Sequence, residues 1–166
     1  RDMTKTKRLC TLAISLALSL LLSFVEHQIP PLVAVPGVKI GLANVVTVFL
    51  LYALSAKDAF CVSILRVLLS SLLFGSIVSM IYALSGALLS FFVMLLFKKL
   101  DVFSEIGVSV LGGVFHNIGQ IISAIFVLGT ASIAYYLPVL LISGVISGAV
   151  IGIISGLIIK RLKNKI

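Results

Sequence analysis

A short polar stretch, GGVFHNIGQ, interrupts a long apolar run in the second half of the chain. His116 and Gln120 are four residues apart and Asn117 lies between them in angle, so on a helix all three can face one side. Gly112 and Gly113 precede them by one turn and leave volume beside the imidazole and amide groups. A small molecule or a neighbouring helix could use that space. We predict that His116, Asn117 and Gln120 bind a ligand.

A second polar stretch, PGVKIGLANVV, lies between apolar runs in the first half of the chain. Gly37 and Gly41 allow the backbone to turn and to approach a neighbour or ligand closely. Lys39 places a positive charge that would attract a partly anionic solute, and Asn44 adds a carboxamide. We therefore predict that Lys39 and Asn44 also bind the ligand.

Four further polar residues are secondary candidates for ligand binding. A charge at the bilayer centre costs about 2.5 to 3.5 kcal/mol, so polar groups within apolar segments are functional candidates by default. Glu26, His27 and Gln28 precede the proline-rich stretch IPPLVAVPG, and Arg66 interrupts SILRVLL. With the two stretches above they outline a pocket that opens to the exterior and fixes a polar solute within apolar walls.

An alternative explanation is a hydrogen-bond network that joins the helices without any ligand. In that case Asn44, Asn117 and Gln120 satisfy one another. Arg66 then pairs with a carboxylate or extends its charged group to the membrane surface.

The composition places these residues in an integral membrane protein. The chain has 166 residues, of which 61% are hydrophobic and 11% charged, and its mean hydropathy is +1.31. About 20 apolar residues cross a hydrocarbon core of roughly 30 Å, so the length holds five or six helices and no soluble domain. We predict an all-α fold with one transmembrane domain, residues 1–166. Six candidate spans follow from hydropathy: Leu9–Val25, Val38–Leu54, Ala59–Phe74, Ser76–Phe97, Ile106–Leu128 and Tyr136–Ile159.

The positive charges predict the orientation of these spans. Short cytoplasmic loops accumulate Lys and Arg. With both termini in the cytoplasm, eleven of the thirteen Lys and Arg are cytoplasmic, while Lys39 is outside and Arg66 within a helix. The net charge of +8 is thus explained by topology and by anionic lipid, and no nucleic-acid partner is expected. We expect a multi-pass protein of the cell membrane.

Two helices carry small residues at regular spacing. In the last span, glycines recur every four residues, at Gly144, Gly148, Gly152 and Gly156, which allows close approach of another helix. Packing within the same bundle is the favoured interpretation, and contact with an oligomer or partner is the alternative. The first span has Ala13 and Ala17, a weaker pattern by itself. The two cysteines have no metal-ligand spacing, and we expect neither a metal ion nor a cofactor.

Four ordered segments closely resemble the Gx transporter family, which is also called heptaprenyl diphosphate synthase component I: IPPLVAVPGVKIGLANVVTVFLLY, ILRVLLSSLLFGS, LSGALLSFFVMLL and GVSVLGGVFHNIGQ. That family is similar in length, six-helix layout and first-helix alanines to the substrate-binding S components of energy-coupling factor transporters. The resemblance implies an S-component-like bundle in which Ala13 and Ala17 contact a membrane coupling subunit, with ATPase subunits as further partners. It makes vitamins, flavins, quinone precursors and isoprenoids candidate solutes.

The enzyme name finds little support in the residues. Prenyl diphosphate chemistry needs clustered carboxylates that hold Mg²⁺. The five acidic residues are scattered, without an aspartate-rich motif, and no Gly-Lys-Ser or Gly-Lys-Thr phosphate loop is present. We therefore predict a solute-binding transport subunit driven by partners, and no enzyme. The alternatives are a membrane subunit associated with prenyl diphosphate or quinone biosynthesis, and a stand-alone carrier.

Overall fold

The computed structural model describes residues 4–29 and 41–162, and all regular structure in these ranges is helical. This confirms the predicted all-α fold. The six α-helices are α1 (Lys5–Gln28), α2 (Asn44–Ala53), α3 (Ala56–Phe74), α4 (Ile77–Leu100), α5 (Glu105–Leu128) and α6 (Leu137–Leu162). A short 3-10 helix, Ala131–Tyr136, leads directly into α6.

The second helix is the main departure from the predicted boundaries. Hydropathy predicts a span from Val38, but α2 begins only at Asn44, while residues 38–40 lie outside the described part of the chain. Gly41 has φ +88°, a left-handed conformation that an α-helix does not tolerate, and Leu42 and Ala43 form a turn. Hydropathy cannot register this break because the residues around Gly41 are apolar.

Serine side chains begin three of the helices. Ser55, Ser76 and Ser104 each accept a hydrogen bond from a backbone N–H in the first turn of α3, α4 and α5. These bonds satisfy N–H groups that have no partner within the helix. The caps therefore define the starts of α3 and α4, although the connections that precede these two helices are very short.

The helices form two packed groups that meet at α2 and where α3 packs against α4. In the first, α1 runs parallel to α3, since Arg8 contacts Asp58 near their starts and Phe24 packs on Phe74 near their ends. In the second, α5 packs between α4 and α6, and both of these helices run antiparallel to it. The short helix α2 packs against α3 and α6 and buries most of its side chains, so it forms the centre of the larger apolar core.

The glycines of α6 lie against α5. A Cβ atom on Gly148 would lie 2.6 Å from the Cα of Val110, and one on Gly152 would lie 2.8 Å from the Cα of Ile106. Backbone approaches as close as these exclude any larger residue. The Ser109 hydroxyl also donates to the carbonyl of Gly148 at 2.8 Å. The stripe therefore packs within this bundle.

The described basic residues other than Arg66 gather at one end of the bundle, which we call the basic end. The directions of the helices bring together Lys5, Lys7, Arg8, Lys57, Lys98, Lys99, Lys160 and Arg161. Here Arg8 donates to both carboxylate oxygens of Asp58, and Lys98 donates to the carbonyl of Leu51 at the end of α2. The uneven distribution of Lys and Arg along the sequence thus places these positive charges at one end of the folded bundle.

Four segments are long and apolar enough to cross a membrane: α1, α4, α5 and the combined segment Ala131–Leu162. They carry many exposed apolar side chains, as expected for a surface in contact with lipid. Together they indicate a membrane protein. By contrast, α2 has only 10 residues and α3 carries Lys57, Asp58 and Arg66. Six spans and the orientation of the termini therefore stay predictions.

Two alanine substitutions within the α6 stripe should have different effects. Gly148→Ala places a methyl group against the backbone of α5 and should destabilise the fold by about 1 to 3 kcal/mol. Gly156→Ala is the matched control, because its Cβ would meet only a Glu105 carboxylate oxygen at 3.2 Å, which can move. It should be neutral or stabilising by up to about 1 kcal/mol through helix propensity. Detergent unfolding of both variants measures the difference, and equal losses would contradict this packing.

Candidate functional site

Polar side chains from four helices meet inside the bundle, around the turn at Gly41 that precedes α2. We call this set the central polar cluster: Glu26 of α1, Asn44 of α2, Arg66 of α3, and His116 and Gln120 of α5. Each is at least nine-tenths buried, and Gln120 has no exposed surface. The cluster combines members of both polar stretches with two of the secondary candidates, Glu26 and Arg66.

Gly41 lies at the centre of the cluster. Its backbone N–H donates to a carboxylate oxygen of Glu26, which joins the end of α1 to the start of α2. A Cβ atom on Gly41 would lie 3.1 Å from the amide nitrogen of Asn44 and 3.4 Å from the imidazole Cδ2 of His116. Glycine is thus required here both by the positive φ and by the nearness of these two side chains.

Arg66 provides a positive charge deep within the bundle. Its Nη2 donates to the Asn44 side-chain oxygen at 3.5 Å, which is a long hydrogen bond. The Glu26 carboxylate also interacts electrostatically with the guanidinium. Since an isolated charge is very costly to bury, Glu26 and Arg66 stabilise each other in this position.

His116 and Gln120 lie against Gly86 of α4. A Cβ atom on Gly86 would lie 2.9 Å from the Gln120 Cγ and 3.1 Å from the His116 Cε1. The missing side chain at Gly86 therefore makes room for both polar groups between α4 and α5. Sequence reasoning did not single out Gly86. Its signal was a lone glycine in the apolar run ALSGALLS.

Asn117 does not share the side of α5 that its two neighbours occupy. Its amide nitrogen donates to the carbonyl of Leu140 on α6 at 2.6 Å. His116 and Gln120, four residues apart, do face the same helix, as the helical period requires. The expectation of a single three-residue face is thus correct for two residues, while Asn117 lies at the interface between α5 and α6.

Several buried polar atoms have no hydrogen-bond partner among the described residues. They are His116 Nδ1, Asn117 Oδ1, Gln120 Nε2 and Oε1, Arg66 Nε, Ser23 Oγ and Ser90 Oγ. Buried polar groups in native proteins are nearly always paired, and each unpaired one costs about 1 to 3 kcal/mol. Most of these atoms belong to the central polar cluster or to Asn117 next to it. The concentration of unpaired donors and acceptors is a property expected of a binding site.

The other predicted site residues lie elsewhere. His27 is half-buried and its ring is 6.4 Å from that of Phe74, whereas Gln28 is exposed at the end of α1. Lys39 lies outside the described residues. Ala13 and Ala17 are exposed on α1.

The opposite ridge of α1 faces the bundle. Ser15, Ser19 and Ser23 are all buried there. The alanine side of α1 is therefore open to lipid or to another protein, because the helix turns its serines inward.

Metal ligands are not grouped in the described ranges. No set of three or more His, Cys, Asp or Glu side chains within residues 4–29 and 41–162 could hold a metal ion. The cluster offers one carboxylate, one guanidinium, one imidazole and two carboxamides, which suits hydrogen bonding to a polar solute.

The fold and the cluster define a helical membrane protein with a buried polar site. The family model for heptaprenyl diphosphate synthase component I matches residues 15–158, a range that contains every residue of the central polar cluster. The chain belongs to this family, which confirms the resemblance found in the sequence. No curated protein and no solved structure matches the chain. Similarity to S components of energy-coupling factor transporters stays a prediction.

Removing the unpaired amide of Gln120 should stabilise the ligand-free protein. Gln120→Met keeps the side-chain length but removes two buried polar atoms without partners, so we expect unfolding to become harder by about 1 to 3 kcal/mol. Ser85→Ala at the same helix interface should have the opposite sign, since it deletes a 2.7 Å hydrogen bond to Ser123. Thermal unfolding in detergent measures both. A loss of stability in Gln120→Met would instead indicate that Gln120 joins the helices.

Proposed function

We propose that this chain is the solute-binding subunit of a membrane transport system, similar in role to an S component. The observation that carries the proposal is the central polar cluster, in which buried polar atoms of Arg66, His116 and Gln120 have no partner among the described residues. A small solute with complementary polar groups would pair with these atoms and recover the free energy that their burial costs. A cluster that served only to join helices would be expected to pair its own members.

The short helix α2 supports a binding role for this region. The Ser155 hydroxyl of α6 donates to the Val45 carbonyl in the first turn of α2, at 3.1 Å. The start of α2 thus lies next to the part of α6 that approaches the basic end, well inside the bundle. Irregular backbone at such depth is tolerated where it is enclosed by protein or lines a cavity. We propose that the turn at Gly41 forms the floor of the solute site.

We propose that the solute enters from the side opposite the basic end and that the basic end faces the cytoplasm. The orientation can be tested with single cysteines in a Cys10→Ser/Cys61→Ser background, since both natural cysteines are exposed. A membrane-impermeant maleimide added to intact cells should label a cysteine at Gln28 and spare one at Lys98. The reverse pattern would invert the orientation and move the opening of the site to the cytoplasmic side.

Energy for transport would come from partner subunits. The exposed alanines of α1 offer a smooth surface that another helix could approach closely. The described part of the chain has no group that suggests ATP hydrolysis, and the sequence has no phosphate-binding loop motif. We therefore propose an energy-coupling membrane subunit, with ATPases attached to it, as the partner at Ala13 and Ala17.

Leucine at both alanines tests this contact. Ala13→Leu/Ala17→Leu should abolish co-purification with a tagged coupling subunit and leave solute affinity within about twofold, because the side chains face away from the central polar cluster. Ala131→Leu/Ala134→Leu is the matched control, being an equal enlargement at exposed positions of the 3-10 helix. A double α1 variant that still assembles and transports would favour a stand-alone carrier.

A second candidate function follows from the family description. A family named for a component of heptaprenyl diphosphate synthase could supply a membrane subunit that assists prenyl diphosphate or quinone biosynthesis without being the enzyme. In this alternative the cluster would hold part of a lipid precursor. Mass spectrometry of molecules that co-purify with the protein separates the two functions, since a prenyl diphosphate would favour the second.

The solute-binding proposal predicts separate effects on affinity and stability. Asn44→Ala should weaken binding of the co-purified solute by about 1 to 3 kcal/mol, because a buried polar group of the solute loses its partner. Ser85→Ala, outside the cluster, should lower the melting temperature and leave affinity unchanged. Affinity and melting temperature are measured on the same preparations. Unchanged affinity in Asn44→Ala and in Arg66→Met together would remove this cluster as the solute site.

A further inference from the structure

Within the described residues, the central polar cluster contains one charge of each sign. Glu26 contributes the one carboxylate and Arg66 the one guanidinium, and the two interact electrostatically. Both are nearly fully buried, so a further charge brought among them would lack a partner of opposite sign among the residues that the structure describes. Such a charge would keep most of its desolvation cost. The part of a solute that enters the cluster is therefore expected to be uncharged.

The unpaired atoms specify which hydrogen-bonding groups that part carries. Gln120 Nε2 and Arg66 Nε are donors and require acceptors from the solute. Gln120 Oε1 is an acceptor and requires a donor. His116 Nδ1 can take either role according to its tautomer.

The two atoms of Gln120 are the most selective pair. A carboxamide with both atoms unpaired can bind two adjacent groups, one donor and one acceptor, as a glutamine does on the edge of a base. A quinone carbonyl offers acceptors only and leaves the Gln120 oxygen unpaired. A diphosphate also offers acceptors, and it adds several negative charges beside Glu26.

We propose that the solute presents to this cluster an uncharged head group in which hydrogen-bond donors stand beside acceptors, as in a cyclic imide or lactam. This inference rests on the proposed solute-binding function and narrows the class of solute. Acceptor-only quinones and prenyl diphosphates are then poor ligands for the cluster. Charged parts of a solute, if it has any, remain outside the cluster.

Four probes separate these classes on the full chain in lipid nanodiscs. Lumichrome is a neutral tricyclic imide, and 1,3-dimethyllumichrome keeps its shape and carbonyls but lacks the imide N–H donors. Menadione provides an acceptor-only quinone, and geranyl diphosphate provides an anionic prenyl head group. Equilibrium dissociation constants are measured by calorimetry for the wild type and for the variants Gln120→Met, Asn44→Ala and Ser85→Ala.

We expect saturable binding of lumichrome that weakens about tenfold or more on dimethylation and by a similar factor in Gln120→Met. Ser85→Ala should bind lumichrome as the wild type does. Menadione and geranyl diphosphate should bind at least about tenfold more weakly than lumichrome. The inference would be overturned if neither dimethylation nor Gln120→Met changed the dissociation constant of lumichrome. It would also be overturned if lumichrome did not bind up to its solubility limit.

The result also distinguishes the inference from the function on which it rests. Tight binding of menadione or geranyl diphosphate that is lost in Asn44→Ala, with no preference for lumichrome, refutes the neutral donor-acceptor head group but keeps solute binding at this cluster. If none of the four probes binds, and if mutation of the cluster displaces no co-purified molecule, both the head-group inference and the solute-binding function are refuted.

Discussion

The need to compensate a buried charge governs the arrangement of the first three helices. Arg66 lies deep within an apolar bundle, where its charge is tolerated only beside an opposite charge and polar groups. Glu26 supplies the charge from the end of α1, and Asn44 supplies an oxygen from the start of α2. The same carboxylate accepts from the backbone of Gly41. One set of interactions therefore ties α1, α2 and α3 together and places the turn before α2 inside the bundle.

The other three helices depend on close backbone contact. Gly148 and Gly152 bring α6 against α5, and Gly86 brings α4 against the polar residues of α5. Helices in a membrane gain little from the hydrophobic effect between them, so contact of this kind and hydrogen bonds such as Ser109 to Gly148 hold them together. These contacts hold His116 and Gln120 against Gly86, and they place the His116 ring beside Gly41.

The polar groups contributed by α1 to α3 and those contributed by α5 differ in how well they are paired, and this difference bears on function. The charged pair is balanced, whereas the amide and imidazole groups of α5 retain unpaired atoms. A buried group without a partner requires an explanation, and the explanation that we propose is a bound solute. Membership of the heptaprenyl diphosphate synthase component I family does not decide between a transport subunit and an accessory subunit of biosynthesis. The chemical class of the bound solute would decide it.

The sequence by itself determined the helical class, the apolar character and most helix boundaries, because hydropathy is a local property of the chain. It also identified every residue of the cluster as polar and out of place in an apolar segment. Only the tertiary structure decided which of them meet. Asn117 faces α6 while His116 and Gln120 face Gly86, and Glu26 reaches the cluster while Gln28, two residues further along the chain, does not. These outcomes depend on helix rotation and on the positive φ of Gly41, which arise from contacts between residues far apart in sequence.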